Sequence, residues 1–288
     1  MPARRRVSTL TAIAFLATTM VGCASWKASP KRKVVTKKAT VQVPTNPKLV
    51  LLEVEFINLD LDENDPDASE SLWQWIDETK VDAENRQRLL ANGIRVGYVA
   101  NEQRLRKRMS DSSGKQDVVE KFLAEASIAS DVSHGTKRIP MRLGKRHELP
   151  LHQPIAGSHV ALIRLDNETI GKTLADAQYL YSITATSAAN QKQIHLRMTP
   201  EIQHGDMRQK WVGSDSALRI DTRRETWAIP ELDLNVLATE GETLAIAPTS
   251  PVRGLGKQML TGSSAELTTQ QVMMLIHVSQ VPTAVDML

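Results

Sequence analysis

Cysteine is almost absent from this chain: Cys23 is the only one among 288 residues. A single thiol cannot form a disulfide within the chain, and it cannot build a metal site of several thiolates. The surrounding stretch, ATTMVGCASWK, holds none of the histidine or amide partners that a catalytic thiol uses. The place of Cys23, just after an apolar run near the start of the chain, therefore needs another explanation.

Aromatic residues and catalytic motifs are also scarce. Aromatics make up 4% of the chain, so its cores must be built mainly from Leu, Ile, Val, Ala and Met. The G-x-S-x-G pattern of serine hydrolases does not occur, and His147 and His152 are five positions apart instead of the four that a zincin helix requires. The sequence thus predicts a protein that is not an enzyme and that holds no metal or cofactor.

The start of the chain, residues 1–22, is typical of a secretory signal peptide. Arg4, Arg5 and Arg6 precede an apolar stretch that runs from about residue 10 to residue 21. Gly22 is the small residue directly before Cys23. The apolar stretch is too short to span a bilayer comfortably, which takes about 20 residues.

Residues Met20-Val21-Gly22-Cys23 resemble the lipobox of bacterial lipoproteins. The resemblance implies cleavage between Gly22 and Cys23 and acylation of the cysteine sulfur and amine, with palmitate as a typical acyl group. Met20 stands where the family prefers leucine. Ala24 is not the aspartate of inner-membrane retention, which implies an outer-membrane anchor facing the periplasm. An ordinary signal peptide with an incidental cysteine, and an uncleaved anchor, are the alternatives.

Residues 23–48 are expected to form a basic, disordered tether behind the lipid. From residue 24 onward this segment contains seven basic and no acidic residues, with prolines at positions 30, 44 and 47. Fully extended, it would reach about 80 Å at about 3.3 Å per residue. Anionic headgroups would attract its basic side chains by about 1 kcal/mol each, so membrane lipid is the first expected partner. A merely soluble linker is the alternative.

The rest of the chain is acidic overall. The whole chain has 36 basic and 33 acidic residues and a net charge of +3. Three basic residues lie in the signal peptide and seven in the tether, and neither segment contains an acid. Residues 49–288 therefore keep 26 basic against 33 acidic residues, a balance of −7. The positive total is consequently no sign of nucleic-acid binding.

Local patterns predict an α+β fold, with a small α/β domain at residues 49–135 and a β-rich domain at residues 136–288. The stretches KLVLLEVEFINLDL and IRVGYVA are typical of strands. Between them we expect two helices. One starts near Ser69 or Ser71, and the other has Asp82 as its N-cap and Asn92-Gly93 as its stop. Two more helices are expected, at residues 102–109 and 116–130.

In residues 136–288, strand-like stretches alternate with turn residues. These stretches cover residues 159–165, 178–186, 193–202, 224–238, 242–248 and 271–281. Residues 173–181 could form a short helix instead. Residues 205–222 match neither a strand nor a helix pattern, so they stay unassigned.

Residues 193–282 resemble the C-terminal domain of secretins, the outer-membrane ring channels of type II and type III secretion. The order of short pieces carries the resemblance: a strand that ends in a turn containing Pro200, the turn Gly241-Glu242-Thr243, the loop Gly254-Leu255-Gly256 and a last strand before Pro282. The family's second proline-rich loop is missing, and only residues 193–202 approach the alternation of lipid-facing strands. The resemblance therefore implies a degenerate, secretin-like domain for scaffolding or assembly, and not a pore.

Asp60, Asp62 and Asn64 occupy the first three ligand positions of an EF-hand calcium loop. Asp65 stands where that loop needs glycine, and Ser71 stands where it needs a bidentate glutamate. We expect this acidic loop to precede a helix N-terminus, where negative charge is favourable, with weak calcium binding as the alternative.

The sequence thus predicts an outer-membrane lipoprotein that faces the periplasm and has a structural, scaffolding or partner-binding role, in a secretin-like assembly or beside one. Its expected partners are membrane lipid and envelope proteins. The alternative is an envelope hydrolase or carbohydrate-acting enzyme that uses carboxylates from residues 60–70 and from the β-rich domain. A closed apolar cleft with converging carboxylates would favour the enzyme, and a flat surface or free sheet edge would favour binding.

Overall fold

The computed structural model describes residues 49–59, 66–112, 135–166, 168–190, 192–214, 217–263 and 269–282. Strands make up 64% of the structure, and the described residues include four α-helices. The helices are α1 (Pro66–Trp73), α2 (Ala83–Ala91), α3 (Glu102–Ser112) and α4 (Gly254–Leu260), with 3-10 turns at Glu78–Lys80 and Pro230–Leu232.

The strands form two antiparallel sheets. In chain order they are β1 (Leu49–Leu59), β2 (Ile76–Asp77), β3 (Ile94–Val99), β4 (Gly135–Arg142), β5 (Arg146–Pro150), β6 (Ile155–Leu165), β7 (Glu168–Ser187), β8 (Gln193–Ser214), β9 (Ala217–Ala228), β10 (Leu234–Thr239), β11 (Thr243–Pro248), β12 (Thr261–Ser263) and β13 (Thr269–Gln280). The first sheet has the order β2-β3-β11-β13-β1-β4, with β12 also on β13. The second has the order β10-β8-β7-β5, with β6 on β7 and β9 on β8.

The predicted α+β fold with a small α/β N-terminal domain is wrong. β1 is hydrogen-bonded to β13, and β3 to β11, so the last strands of the chain complete the sheet that its first strands begin. Pairing therefore crosses the boundary expected near residue 135, and the described residues fall in one compact unit. Helices α1, α2 and α3 are short, with 8, 9 and 11 residues, and strands make up most of the structure around them.

One apolar core joins the inner faces of the two sheets. Alternation along β1 buries Val50, Leu52, Val54 and Phe56 on one side, as a half-buried strand requires. β7 and β8 contribute the matching layer, which includes Tyr179, Tyr181, Ile183, Ile194, Leu196 and Met198. A smaller cluster lies on the outer face of the first sheet, where Leu72 of α1 and Leu105 of α3 pack with Met273 and Leu275.

Several local predictions are confirmed. The Asp82 carboxylate accepts a hydrogen bond from the Asn85 N–H at 3.1 Å, and Asn92 is the C-cap of α2. α3 includes residues 102–109, and residues 173–181 belong to β7 instead of a helix. α1 begins at Pro66, earlier than expected. The helix predicted at residues 116–130 lies outside the described residues.

Two long strands extend beyond the second sheet as hairpins. β7 has 20 residues and β8 has 22, yet the two pair only from Gln178 opposite Gln203 to Ser187 opposite Ile194. The part of β7 before Gln178 forms a hairpin with β6, and the part of β8 after Gln203 forms a hairpin with β9. The β8–β9 hairpin contains most of the stretch that sequence patterns leave unassigned.

Candidate functional site

A charged groove of about 480 Å³ lies on the outer face of the first sheet, beside α3. Strands β1, β4, β11 and β13 form its floor, and one face of α3 forms a wall. Its lining residues are Glu53, Glu55, Glu102, Arg106, Thr136, Thr243, Leu275 and His277. Only Leu275 among them is apolar, so this groove is not the closed apolar cleft that would favour an enzyme.

Strand alternation and register bring these side chains together. Glu53 and Glu55 lie on β1 between buried apolar positions, so both point away from the core. Glu53 is opposite His277 of β13 on one side and Arg138 of β4 on the other. Since His277 is in turn opposite Thr243 of β11, a polar row crosses four strands.

The carboxylates of this groove are ion-paired. The Arg106 guanidinium donates to both Glu55 oxygens, at 2.7 and 3.2 Å, and to Glu102 at 2.8 Å. Arg138 lies 2.8 Å from Glu53. The hydrogen bonds with Glu55 raise the pKa of Arg106 further above its ordinary value, although burial opposes this shift. The guanidinium groups of Arg106 and Arg138 therefore contact all three carboxylates of the groove.

His277 is a groove residue that sequence patterns do not indicate. Its Nδ1 lies 2.9 Å from the Thr243 hydroxyl, and β13 places it between Glu53 and Thr243. Only the register of distant strands makes these three residues neighbours. Within the described ranges, no group of three or more His, Cys, Asp or Glu side chains is arranged to hold a metal ion.

A second polar cluster lies partly buried between β6, β7 and α4. The Tyr179 hydroxyl donates to the Gln258 side chain at 2.7 Å and lies 2.9 Å from His159 Nε2. Both ring nitrogens of buried His152 lie near backbone carbonyls, Nδ1 at 2.6 Å from Gln153 and Nε2 at 2.9 Å from Gln258. Burial, and then the neighbouring His152, lower the pKa of His159. This cluster fixes the β6–β7 hairpin against α4.

The predicted sites near the N-terminus, Gly22 and Cys23 of the lipobox and Asp60, Asp62 and Asn64 of the acidic loop, lie outside the described residues. Pro200 lies inside β8 and not in a turn, opposite Tyr181. The Pro200 carbonyl accepts a hydrogen bond from the Ile229 N–H at 3.0 Å. On the side of β8 away from β7, the neighbouring strand is β10 up to Met198 and β9 from Glu201 onward, so Pro200 lies where the neighbour changes. A residue without an N–H fits there because the ladder is interrupted.

Gly241-Glu242-Thr243 forms a turn, but its flanking strands do not pair with each other. β10 belongs to the second sheet and β11 to the first, so the turn carries the chain between sheets. Gly241 has a φ of 88° and donates its N–H to the Val278 carbonyl at 2.8 Å. Glu242 accepts from the Thr239 N–H at 2.8 Å and pairs with Lys80 at 3.2 Å.

Gly254 and Gly256 start α4 against the end of α2. The Gly256 N–H donates to the Asn92 carbonyl at 2.9 Å, and a Cβ on Gly256 would lie 1.9 Å from the Gly93 carbonyl oxygen. The Asn92 side chain in turn accepts from the Arg164 N–H at 2.8 Å and donates to the Arg164 carbonyl at 2.7 Å. The GLG stretch therefore allows α4, α2 and β6 to meet closely.

The β8–β9 hairpin presents the two most exposed large apolar side chains of the described residues, Met207 and Trp211, together with the half-exposed Ile220. Met207 is 66% exposed, Trp211 67% and Ile220 48%. Trp211 and Ile220 are opposite each other in the hairpin register, so they lie on the same face. Among the described strands, β9 pairs with β8 alone, which leaves its other edge open. Sequence patterns missed this surface because they assigned no structure to residues 205–222.

Comparison with protein-family models, with curated proteins and with solved structures gives no match for this chain. No helix in the described portion has the length and apolar character needed to cross a membrane.

Proposed function

We propose that this chain is a lipoprotein of the bacterial envelope, anchored at the outer membrane through Cys23, with a scaffolding or partner-binding role. The β8–β9 hairpin is the observation that supports a binding role best. Solvent-exposed large apolar side chains are costly in water, and clusters of them are typical of interaction sites. Met207, Trp211 and Ile220 all lie on this one hairpin.

The groove gives less support to the alternative, a hydrolase that uses carboxylates. Such an enzyme needs two carboxyl groups that face the scissile bond from opposite sides of a cleft. Glu53, Glu55 and Glu102 are all held by arginines, and the groove is open and polar. We therefore propose a role in binding. Because residues 193–282 resemble secretins, the first candidate partners are proteins of a secretion assembly.

The anchor is tested with Cys23→Ser. We expect this variant to leave the membrane fraction for the soluble periplasm, or to keep its signal peptide, because no thiol remains for acylation. Intact-mass analysis of the unaltered protein should show an acylated cysteine as the first residue. A mature protein whose cysteine has a free amine and no lipid would overturn the anchor.

The binding surface is tested in the full-length protein with Trp211→Ser and Ile220→Ser. Leu237→Ser is the matched control, because Leu237 is 45% exposed but lies on β10, away from the hairpin. After crosslinking in intact cells and extraction with mild detergent, we expect the two hairpin variants to lose a copurifying protein that the control retains. The same set of copurifying proteins in all three variants would contradict the role of the hairpin.

A further inference from the structure

We infer that the contact between Lys172 and His204 is an acid-sensitive latch, which holds the β8–β9 hairpin at neutral pH and releases it when His204 takes up a proton. The inference rests on the proposed function, because it adds a means of regulation to the hairpin that carries Met207, Trp211 and Ile220. His204 is only 9% exposed, so its ring lies inside the structure at the base of this hairpin.

Lys172 connects the two long hairpins. It lies on β7, opposite Ala161 in the β6–β7 hairpin, and its ammonium group reaches across to the β8–β9 hairpin. There the nitrogen Nζ lies 3.2 Å from His204 Nε2, 3.8 Å from the Glu225 carboxylate and 5.4 Å from the centre of the Trp227 ring. One lysine side chain therefore makes a hydrogen bond, an ion pair and a cation–π contact with the other hairpin.

The contact with Lys172 requires His204 to be neutral. An ammonium group can only donate hydrogen bonds, so Nε2 accepts in this contact and the proton of the neutral ring is on Nδ1. A second proton can bind His204 only at Nε2, where it would point at the ammonium group and place two positive charges side by side. Protonation therefore turns the attraction between Lys172 and His204 into repulsion.

Glu225 of β9 and Arg208 of β8 are the other charged groups that act on His204 in the described structure. Burial, and then the Lys172 charge, lower the pKa of His204, while Glu225 opposes this shift and Arg208 adds to it. Glu225 lies opposite His204 in the strand register, so the imidazolium charge attracts this carboxylate and weakens its pairing with Lys172. The latch is thus closed at neutral pH and opens below the ordinary histidine pKa of about 6.5.

The backbone next to His204 gives the hairpin room to move. Gly205 has a φ of 71°, and no atom outside its immediate neighbours lies within 4 Å of the position of a Cβ there. The register also shifts between His204 and Arg208, and such a bulge interrupts the ladder. A second tie, from Arg224 Nη1 to the Asp176 carbonyl at 2.8 Å, does not titrate near neutral pH. Opening of the latch therefore leaves the hairpin attached at this tie and free to turn about the bulge.

The latch sets the orientation of the exposed apolar face. Trp211 and Ile220 lie beyond the bulge, on the part of the hairpin that turns when the latch opens. A partner stabilises the conformation to which it binds, so we expect binding at this face to weaken as the latch opens.

Hydrogen exchange of the full-length protein in mild detergent, followed by mass spectrometry between about pH 8 and about pH 5, tests the latch. Exchange times are scaled for the pH dependence of the chemical exchange rate. In the unaltered chain we expect the protection of residues 206–212 and 220–226 to fall by about tenfold or more as the pH is lowered, because adjacent like charges repel strongly. Residues 193–198 of the same strand β8, which pair with β10, should keep their protection.

Three variants separate the latch from other causes. His204→Gln should remain latched at every pH, since the glutamine oxygen can accept from Lys172 and does not titrate. Lys172→Met removes the ammonium group and keeps an apolar stem, so we expect low protection of the hairpin at every pH. His159→Gln is the matched control: burial also lowers the pKa of His159, but this residue lies in the cluster with Tyr179, and the variant should respond to pH as the unaltered chain does.

Hairpin protection that does not change with pH in the unaltered chain, or that falls equally in His204→Gln, would overturn the inference. High protection in Lys172→Met at neutral pH would overturn it as well. These outcomes are separate from the test of the proposed function, because the hairpin can bind a partner at neutral pH without any latch, and Trp211→Ser tests that binding directly.

Discussion

At the scale of single residues, the close meeting of α2 and α4 depends on glycine. Gly93 and Gly256 let two backbones approach to a distance that no side chain allows. The Thr249 N–H also donates to the Gly93 carbonyl, at 2.9 Å. The two glycines of the GLG stretch therefore have a structural explanation in this fold.

We predict that Gly256→Ala destabilises the fold by about 3 kcal/mol or more, because the new methyl group would collide with a backbone oxygen that cannot move independently. Gly171→Ala is the control. A Cβ there would lie 3.2 Å from the end of the flexible Leu162 side chain, so we expect a change below about 1 kcal/mol. Urea unfolding measures both variants. Equal losses of stability would contradict this account of the α2–α4 contact.

We predict that the protein loses stability in acid because of two partly buried histidines, His159 and His204. Burial, and then His152, lower the pKa of His159, while burial, and then Lys172, lower the pKa of His204. The unfolded chain therefore binds more protons than the fold near the ordinary histidine pKa of about 6.5. Stability should fall as the pH drops from about 7, and this fall should stop below the folded-state pKa values.

The double variant His159→Gln and His204→Gln should reduce this dependence, since glutamine can form hydrogen bonds but does not titrate. Urea unfolding at a series of pH values between about 5 and 8 measures the effect. A double variant whose stability follows the same pH curve as the unaltered chain would show that other groups cause it.

At the scale of elements, the turn between β10 and β11 connects the two sheets. Gly241 takes the left-handed conformation, and no atom outside its immediate neighbours lies within 4 Å of the position of a Cβ there. Substitution at Gly241 therefore changes backbone strain and not packing. The turn is also tied to β13 through the Val278 N–H, which donates to the Glu242 carbonyl at 3.0 Å.

We predict that Gly241→Val costs about 1 to 3 kcal/mol of stability, because a branched residue is strained at positive φ. Gly241→Asn should cost less, since asparagine adopts this conformation more readily. Chemical unfolding of both variants provides the comparison. If valine and asparagine cost the same, the turn has relaxed to another conformation and backbone strain is not the reason.

The sequence predicts the elements whose signals are local, and it misses those that depend on distant partners. The alternation of β1 and the capping of α2 by Asp82 and Asn92 are readable from neighbouring residues. The pairing of β1 with β13 joins residues more than 200 positions apart, so no local pattern can indicate it. The groove has the same origin: alternation places Glu53 outward, but only tertiary pairing brings His277 beside it.

The β8–β9 hairpin shows a second reason why sequence patterns miss part of the fold. Gly205 has a φ of 71°, and the register of β8 against β9 shifts between His204 and Arg208. This irregularity breaks the alternation that identifies a strand. The hairpin also exposes Trp211 and Ile220, which a pattern of buried and exposed positions does not expect on a free surface.

At the scale of the whole molecule, the first and last parts of the described chain are interleaved in one sheet. β13 lies between β1 and β11, and β11 lies between β13 and β3. Neither the early strands nor the late strands can complete this sheet alone. We therefore predict that residues 49–59 and 269–282 lose their structure together, as one cooperative unit.

Hydrogen exchange at increasing urea, followed by mass spectrometry, tests this cooperativity. Val54 is fully buried on β1, opposite Ile276 of β13. Val54→Ala should cost about 1 to 3 kcal/mol and lower the opening free energy of β13 peptides as much as that of β1 peptides. Val160→Ala, at a half-exposed position on β6, should change neither. If Val54→Ala weakens β1 while β13 keeps its protection, the early strands unfold separately and the interleaved sheet is not a single cooperative unit.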